Sequence, residues 1–183
     1  MTVDDVDSLA SAAIGGDRAA VDRLLRTIQP RVMAVCARML PCRQDAEEAC
    51  QDALIQVARR IDTFQGRAKF VTWLHAVAAN SARSTYRSLR RRFAERAGEP
   101  AVEPADPRTT SVIAGTRLDL LDALEKLEAE RPEMVEALVL RDICGLAYAD
   151  ITTQLELPEG TVKSRIHGAR ARMRELMTQH AHG

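Results

Sequence analysis

Aromatic residues are scarce in this chain: six of the 183 residues, or 3%, are Phe, Trp or Tyr. A hydrophobic core must therefore be built mainly from Leu, Val, Ile, Ala and Met. No apolar run approaches the roughly 18 residues that cross a bilayer, and the acidic segment 1–11 lacks the pattern of a secretory signal. We expect a cytoplasmic globular protein of one or two domains, without membrane insertion.

Cysteine is also sparse, and the four cysteines lack the CxxC spacing of common metal and redox sites. Cys36 and Cys50 fall on apolar helix faces, which predicts buried free thiols. A zinc site that joins them with Cys42 and His75 has no familiar ligand spacing. We expect no metal and no cofactor.

Features of an enzyme are missing from the sequence as well. It shows neither a nucleophile–base arrangement nor a phosphate-binding glycine loop, so no catalytic residue is predicted. His180 and His182 lie at the end of the chain, where a disordered tail is the simplest interpretation.

Charge is present in both signs but is unevenly distributed. The 26 basic and 26 acidic residues cancel, yet segments 83–96 and 160–174 each carry a formal charge of +5. Segment 98–136 is acidic instead. Two basic segments in a neutral chain indicate two contacts with polyanions.

Helical periodicity dominates the hydrophobic pattern. Apolar residues recur at helical spacing from Val21 to Met39, from Ala46 to Ile61 and again from Phe70, and no segment alternates as a strand does. The Pro-rich acidic stretch Gly98–Pro107 predicts an extended linker. We therefore predict an all-α fold with two small helical domains joined by a flexible linker. The predicted boundaries are 1–95 and 113–178 for the domains, 96–112 for the linker and 179–183 for a disordered tail.

The segment 148–174 predicts a helix-turn-helix. Pro158 suits the first turn of the second helix, where its missing N–H is not needed. An apolar stripe follows on that helix: Val162, Ile166, Ala169, Met173 and Leu176. Cationic residues take the same steps one position later: Lys163, His167, Arg170 and Arg174. Such a helix fits the DNA major groove, although a solvated amphipathic helix has the same pattern.

The N-terminal part contains further candidate contacts. Asp45, Glu48 and Asp52 form an acidic row on one helix face, which by itself is most often a solvated surface. Segment 64–73 combines aromatic rings with cations, a pairing that can stack on unpaired bases and hold phosphates, although Phe70 and Trp73 also suit a core.

The next helix carries a basic face. Asn80, Arg83, Arg87, Arg90 and Arg91 share one side of it. The amide can bind a base edge, whereas the guanidinium groups anchor phosphates.

Several of these segments resemble the extracytoplasmic-function (group IV) sigma factors. GTVKSRIHGAR resembles the end of sigma region 4, whose usual form is close to GTVKSRLHRAR. DAEEACQDAL resembles region 2.2, and FQGRAKFVTW followed by LHAVAANSARSTYR resembles the segments that bind the −10 element. These motifs follow one another in the order and spacing of the family. The resemblance covers nearly the whole chain except the linker and the extreme ends.

The resemblance implies an alternative sigma factor that binds core RNA polymerase and directs promoter-specific transcription initiation. It implies contacts with the β′ clamp helices and the β flap of polymerase, with duplex and single-stranded promoter DNA, and with an anti-sigma protein. The implied polymerase contacts are Asp45, Glu48, Gln51 and Asp52. The implied −10 contacts are Phe64, Arg67, Lys69, Asn80, Arg83, Arg87, Arg90 and Arg91. The implied −35 contacts are Lys163, Ser164, Arg165, His167, Arg170 and Arg174.

Four positions depart from the family pattern. Ser84 replaces Asp, Ala147 replaces Ser, Glu156 replaces Gly, and Gly168 replaces Arg. We expect these changes to weaken −35 binding. Ala147 lacks a capping side chain, Glu156 is less suited than glycine to a tight turn, and Gly168 removes a cation. In the family, the segment that connects the two domains runs through polymerase. The predicted linker of this chain is acidic, which suggests that it mimics nucleic acid there.

The alternative function is a conventional helix-turn-helix regulator that is not a polymerase subunit. It would use a helical dimerisation domain, bind a symmetric site and do so without polymerase. Segment 64–91 disfavours this alternative because a dimerisation domain has no need of a second nucleic-acid surface.

Overall fold

A computed structural model describes residues 3–96 and 112–180. The predicted linker, 96–112, lies almost wholly outside these residues, and so does the end of the predicted tail. The division into two domains therefore stays a prediction, whereas the predicted all-α fold is confirmed, because the described residues form helices and turns without strands.

Four helices make up the N-terminal part of the chain. They are α1 (Val3–Ile14), α2 (Arg18–Met39), α3 (Arg43–Arg60) and α4 (Phe70–Arg96), with a short 3₁₀ turn at Ile61–Thr63 after α3. Helix α1 was not predicted, because its acidic sequence offers only a short apolar stripe. It nevertheless buries Val6, Ala10 and Ala13 against the other helices.

Helix α2 is the centre of this N-terminal bundle. Asp17 caps it: the Oδ1 atom accepts hydrogen bonds from the backbone N–H groups of Ala19 and Ala20 at 2.9 and 3.2 Å. The helix continues through Pro30, although proline removes one internal hydrogen bond. Its buried side chains include most of the apolar stripe predicted from the sequence: Leu24, Ile28, Val32, Val35, Cys36 and Met39.

Four more helices follow in the C-terminal part. They are α5 (Val112–Glu130), α6 (Pro132–Leu138), α7 (Tyr148–Leu155) and α8 (Glu159–His180). Helix α6 continues directly into a π turn at Val139–Ile143. Leucines recur at every third position of α5 from residue 118 to residue 127; Leu118 is 42% exposed, whereas Leu121, Leu124 and Leu127 are buried.

The predicted helix-turn-helix consists of α7 and α8. All five residues of the predicted α8 stripe are buried, which fixes this helix with its cationic side outward. Ala147 occupies the N-cap of α7 and makes no side-chain capping bond. Glu156 has φ 54°, ψ 40° at the C-cap, so the suspected left-handed turn is present without glycine.

The N-terminal and C-terminal helices contact each other. Arg38 of α2 donates a hydrogen bond to the Ile143 carbonyl oxygen at 3.2 Å. Lys69, just before α4, lies 2.9 Å from Asp150 of α7. These contacts hold α7 and the π turn against the N-terminal bundle.

Candidate polymerase and nucleic-acid interfaces

The outer side of α8 presents the predicted cations to solvent. Lys163, Ser164, His167, Arg170 and Arg174 are exposed, and Arg165 is half-buried. Because the opposite stripe is packed against α5, α6 and α7, Lys163, His167, Arg170 and Arg174 share one accessible surface. Ser164 and Arg165, one and two residues after Lys163, lie on other sides of the helix. The structure thus brings four of the six predicted −35 residues together.

Two of these cations already have acidic partners. Arg170 makes a bidentate ion pair with Asp142 at 2.5 and 2.8 Å, and this hydrogen bonding raises the pKa of the guanidinium. Lys163 lies 2.6 Å from Glu159, one turn earlier, and its pKa is raised for the same reason. Arg170 is therefore held in a fixed orientation on α8, whereas Arg165 and His167 make no ion pair within the described part of the chain.

The basic face of α4 consists of Arg83, Arg87, Arg90 and Arg91. The Arg83 side chain is only 13% exposed, and it donates to the Asn80 Oδ1 atom at 2.5 Å. Burial lowers the pKa of its guanidinium, against the opposing effect of Glu128. Arg83 therefore orients the Asn80 amide as well as contributing charge.

An acidic row on α5 faces this basic face. The row consists of Asp122, Glu125 and Glu128. Glu128 lies 3.4 Å from Arg83 and 3.1 Å from Arg87, while Arg90 contacts both other carboxylates. The sequence showed that segment 98–136 is acidic, but it could not show which cations these acids face.

The loop before α4 has a defined shape. Gly66 has φ 67°, a conformation that glycine adopts without steric cost. Phe64 packs against Phe70 and Trp73, with each pair of ring centroids 5.5 Å apart. Phe70 is buried, as the core interpretation expected, while Phe64 and Trp73 are half-buried. A cavity of about 400 Å³ lies between this loop and α1.

The outer face of α3 contains the predicted polymerase contacts. Glu48, Gln51 and Asp52 are exposed, whereas Asp45 is half-buried, and burial with the nearby Glu48 raises the pKa of the Asp45 carboxyl. Sequence reasoning missed Ile55, which is 48% exposed on the same face. The sequence analysis assigned it to no surface, although its helical angle, one turn after Asp52, could have identified it.

No metal centre is visible in the described residues. Among them, no group of three or more His, Cys, Asp or Glu side chains could hold a metal ion. Cys36 and Cys144 are buried, and burial raises the pKa of each thiol to about 12. The four residues considered for zinc do not form such a group, and Cys42 is exposed.

Comparisons with known proteins match both parts of the chain to one family. Residues 24–92 match Sigma-70 region 2, and residues 117–173 match Sigma-70 region 4. No helix of the described residues is long and apolar enough to cross a membrane.

Similar proteins are themselves sigma factors. The ECF RNA polymerase sigma factor SigM of Mycobacterium tuberculosis is 32% identical over 92% of this chain and 83% of its own length. SigE of Mycolicibacterium smegmatis is 34% identical over 91% of this chain and 66% of its own length. The sigma-E factor of Escherichia coli is 30% identical over 85% of both chains.

A solved structure supports the fold. The structure of CnrH in complex with the cytosolic domain of CnrY aligns with a TM-score of 0.54 and 23% identity, over 95% of this chain and 98% of that one. The matches to both sigma regions and the sigma-factor relatives favour a polymerase subunit over a conventional regulator. The chain belongs to the extracytoplasmic-function sigma factors of the sigma-70 family, and it is an alternative sigma factor that binds core RNA polymerase and directs it to promoters.

Proposed function

We propose that three separate surfaces of this chain divide the work of promoter recognition. The α3 face (Glu48, Gln51, Asp52 and Ile55) docks on core polymerase. The α4 basic face and the preceding loop bind the −10 element, and the exposed side of α8 binds the −35 element. The observation that carries this division is that each predicted set of residues lies on one helix or loop.

The α3 face has the composition of a docking surface. Three polar side chains lie one to two turns before an exposed isoleucine on the same face, and apolar residues beside polar ones are common in protein interfaces. The acidic charge would orient the encounter with a basic surface on polymerase. Ile55 would supply the buried apolar contact that acidic residues alone cannot.

The −10 surface combines the α4 basic face with the loop 64–69. Its arginines would hold phosphates while Asn80 contacts a base edge. The cavity between the loop and α1 is lined by Phe64, Gly66 and Lys69, among others. Its volume of about 400 Å³ would accommodate an unstacked base.

The −35 surface would be inserted into the major groove as a duplex contact. His167, which makes no ion pair among the described residues and lies on the same side as Lys163, is our candidate for a base-edge contact. Arg170, held by Asp142, is better placed to contact a phosphate in a fixed register.

A photo-crosslinking amino acid introduced at single positions tests this division. It would be placed in turn at His167, Arg91 and Arg26, and each variant would be assembled with core polymerase on a promoter that the protein serves. We expect position 167 to crosslink near −35 and position 91 near −10. Arg26, an exposed cation on α2, is the matched control and should crosslink to neither. Crosslinks from 167 near −10 would contradict the assignment.

Docking through α3 has its own test, which is a direct affinity measurement with core polymerase. Ile55→Ala should weaken binding about tenfold, because loss of a central apolar anchor costs about 1–2 kcal/mol. Leu118→Ala removes an equally exposed apolar side chain on α5 and should leave the affinity unchanged. Equal effects of the two variants would count against the α3 face.

Outside promoter recognition, we propose that the chain acts in the cytoplasm, without catalysis of its own. An anti-sigma protein is a further proposed partner. Its binding would be seen as loss of transcription when both proteins are mixed before core polymerase is added.

A further inference from the structure

Most cations proposed for the −10 element are paired with acids from the C-terminal helices. In the loop, Arg67 pairs with Glu156, and Lys69 lies 2.9 Å from Asp150. On α4, Arg83 and Arg87 share Glu128, while Arg90 pairs with Asp122 and Glu125. Of the proposed −10 cations, only Arg91 makes no ion pair within the described residues.

The pairing has the order of a continuous interface. As the residue number rises along α4 from Arg83 to Arg90, the partners on α5 fall from Glu128 to Asp122. The two helices therefore run antiparallel, with an acidic residue at every third position of α5 facing the basic face. Tyr86 adds a hydrogen bond to the Asp122 Oδ1 atom at 2.6 Å.

The α5 carboxylates occupy positions that DNA phosphates would need. A carboxylate and a phosphate both present anionic oxygens to guanidinium groups at about 2.7–2.9 Å. The carboxylates lie 2.5–3.4 Å from the α4 arginines. The arginines cannot bind phosphate in the same positions until α5 moves away.

This contact is built so that it can separate. A cleft of about 550 Å³ lies beside the ion pairs, lined by Ser84, Arg87, Arg91 and Glu125, among others. Ion pairs of long polar side chains bridge the two helices. The pairs of Arg87 and Arg90, whose side chains are about half exposed, are individually weak.

The surface proposed for polymerase stays accessible in the same conformation. Gln51, Asp52 and Ile55 are exposed on α3 while the α4 basic face is covered. The chain can therefore dock on polymerase before its DNA-binding surface is free.

We propose that the acidic row of α5 is an internal competitor for the −10 DNA, which keeps the free chain from binding nucleic acid until its C-terminal helices are drawn away on polymerase. This inference rests on the proposed role of the α4 basic face. The acidic mimic that the sequence suggested for the linker is here assigned to α5, outside the linker itself.

The test compares two triple variants of the full-length chain without polymerase. The first, Asp122→Asn with Glu125→Gln and Glu128→Gln, neutralises the α5 row with residues of the same shape. The second, Asp119→Asn with Glu133→Gln and Glu175→Gln, makes the same change in net charge. Its three carboxylates form no ion pair with α4 in the described part of the chain.

Two quantities would be measured at low salt. They are the affinity for a short fluorescein-labelled DNA single strand of mixed sequence, by anisotropy, and the radius of gyration, by small-angle X-ray scattering. The α5 variant should bind about tenfold more tightly than the wild type, because several weak pairs no longer compete. It should also be more extended. The control variant should bind less than about twofold more tightly, with an unchanged radius.

Equal tightening by both variants would overturn the inference, since net charge alone would then explain the affinity. An α5 variant that neither opens nor binds more tightly would overturn it as well. If the α5 variant is more extended but binds the DNA strand no more tightly than the wild type, the proposed DNA-binding role of the α4 basic face is wrong. Transcription by the wild type with core polymerase is scored separately, so that failure of the internal competition is not confused with failure of the sigma function.

Discussion

Arg83 of α4 lies 3.4 Å from Glu128 of α5, and it is the most buried cation of the contact between the two parts of the chain. The same carboxylate also holds Arg87 at 3.1 Å. One acidic side chain thus neutralises two of the arginines that we assign to promoter DNA. The stability of this contact and the availability of the DNA-binding surface are therefore coupled.

Removing the Glu128 charge should destabilise the protein. Glu128→Gln leaves the half-buried Arg83 guanidinium without its opposite charge, and a buried charged group that loses a partner costs about 1–3 kcal/mol. Chemical denaturation would measure the free energy of unfolding. Asp119→Asn, an exposed neutralisation on the same helix, should change it by less than about 0.5 kcal/mol. A Glu128→Gln variant as stable as Asp119→Asn would contradict a structural role for this pair.

His75 should make the stability depend on pH. Burial, together with Arg31 and Arg38, lowers the pKa of its imidazole below 6.5, and no hydrogen-bond partner reaches its buried Nδ1 atom. When the pH falls below 6.5, the unfolded chain binds a proton at His75 more readily than the folded chain does, which favours unfolding. The free energy of unfolding should therefore be higher above this pH and decrease as the pH falls. The slope approaches, at most, about 1.4 kcal/mol per pH unit.

Denaturation curves between about pH 7.5 and 5 would measure the slope. His75→Gln should make it shallower, because Gln does not titrate. Identical slopes for the wild type and His75→Gln would show that other groups cause the dependence.

Glu156 holds a left-handed conformation that glycine adopts more easily. Glu156→Gly should raise the free energy of unfolding by about 0.5–1 kcal/mol, since relief of left-handed strain exceeds the added flexibility of the unfolded chain. Glu156→Gln keeps the strain but removes the exposed pair with Arg67, so it should change stability by less than about 0.5 kcal/mol. Equal stabilisation by both variants would show that the backbone is not the cause.

Gly168 tests the expectation of weakened −35 binding. A Cβ atom at this position would lie 3.1 Å from the Met134 methyl group, whose flexible side chain can shift. Gly168→Ala should stiffen α8 and improve binding slightly, whereas Gly168→Arg adds a phosphate contact. Gly168→Arg should therefore tighten binding to a −35 duplex about threefold or more beyond Gly168→Ala, and steepen the salt dependence by about 0.9. Equal affinities for the two variants would contradict the expectation.

The sequence predicted the helices better than their mutual arrangement. The stripe from Val162 to Leu176 could be recognised because apolar side chains at steps of three and four leave one orientation for α8. The leucines of α5 recur at uninterrupted steps of three, which rotate around a helix of about 3.6 residues per turn, so Leu118 lies on the opposite side from Leu127 and is exposed. Helix α1 was missed because alanines bury little area and give a weak pattern.

The predicted site residues show a similar limit. Lys163, His167 and Arg174 were placed on one exposed face by helical geometry alone. The pairing of Arg90 with Asp122 and Glu125 depends on how separate helices pack, and no local pattern encodes it. Ile55 was assigned to no surface, although its position on the helix, one turn after Asp52, places it beside polar residues.

Run-off transcription tests the central claim most directly. Purified protein and core RNA polymerase would be incubated on fragmented genomic DNA, and the transcript starts would be sequenced. The account predicts new starts that share two upstream boxes and disappear when the protein is omitted. Absence of new starts, with duplex binding that is indifferent to core polymerase, would contradict it.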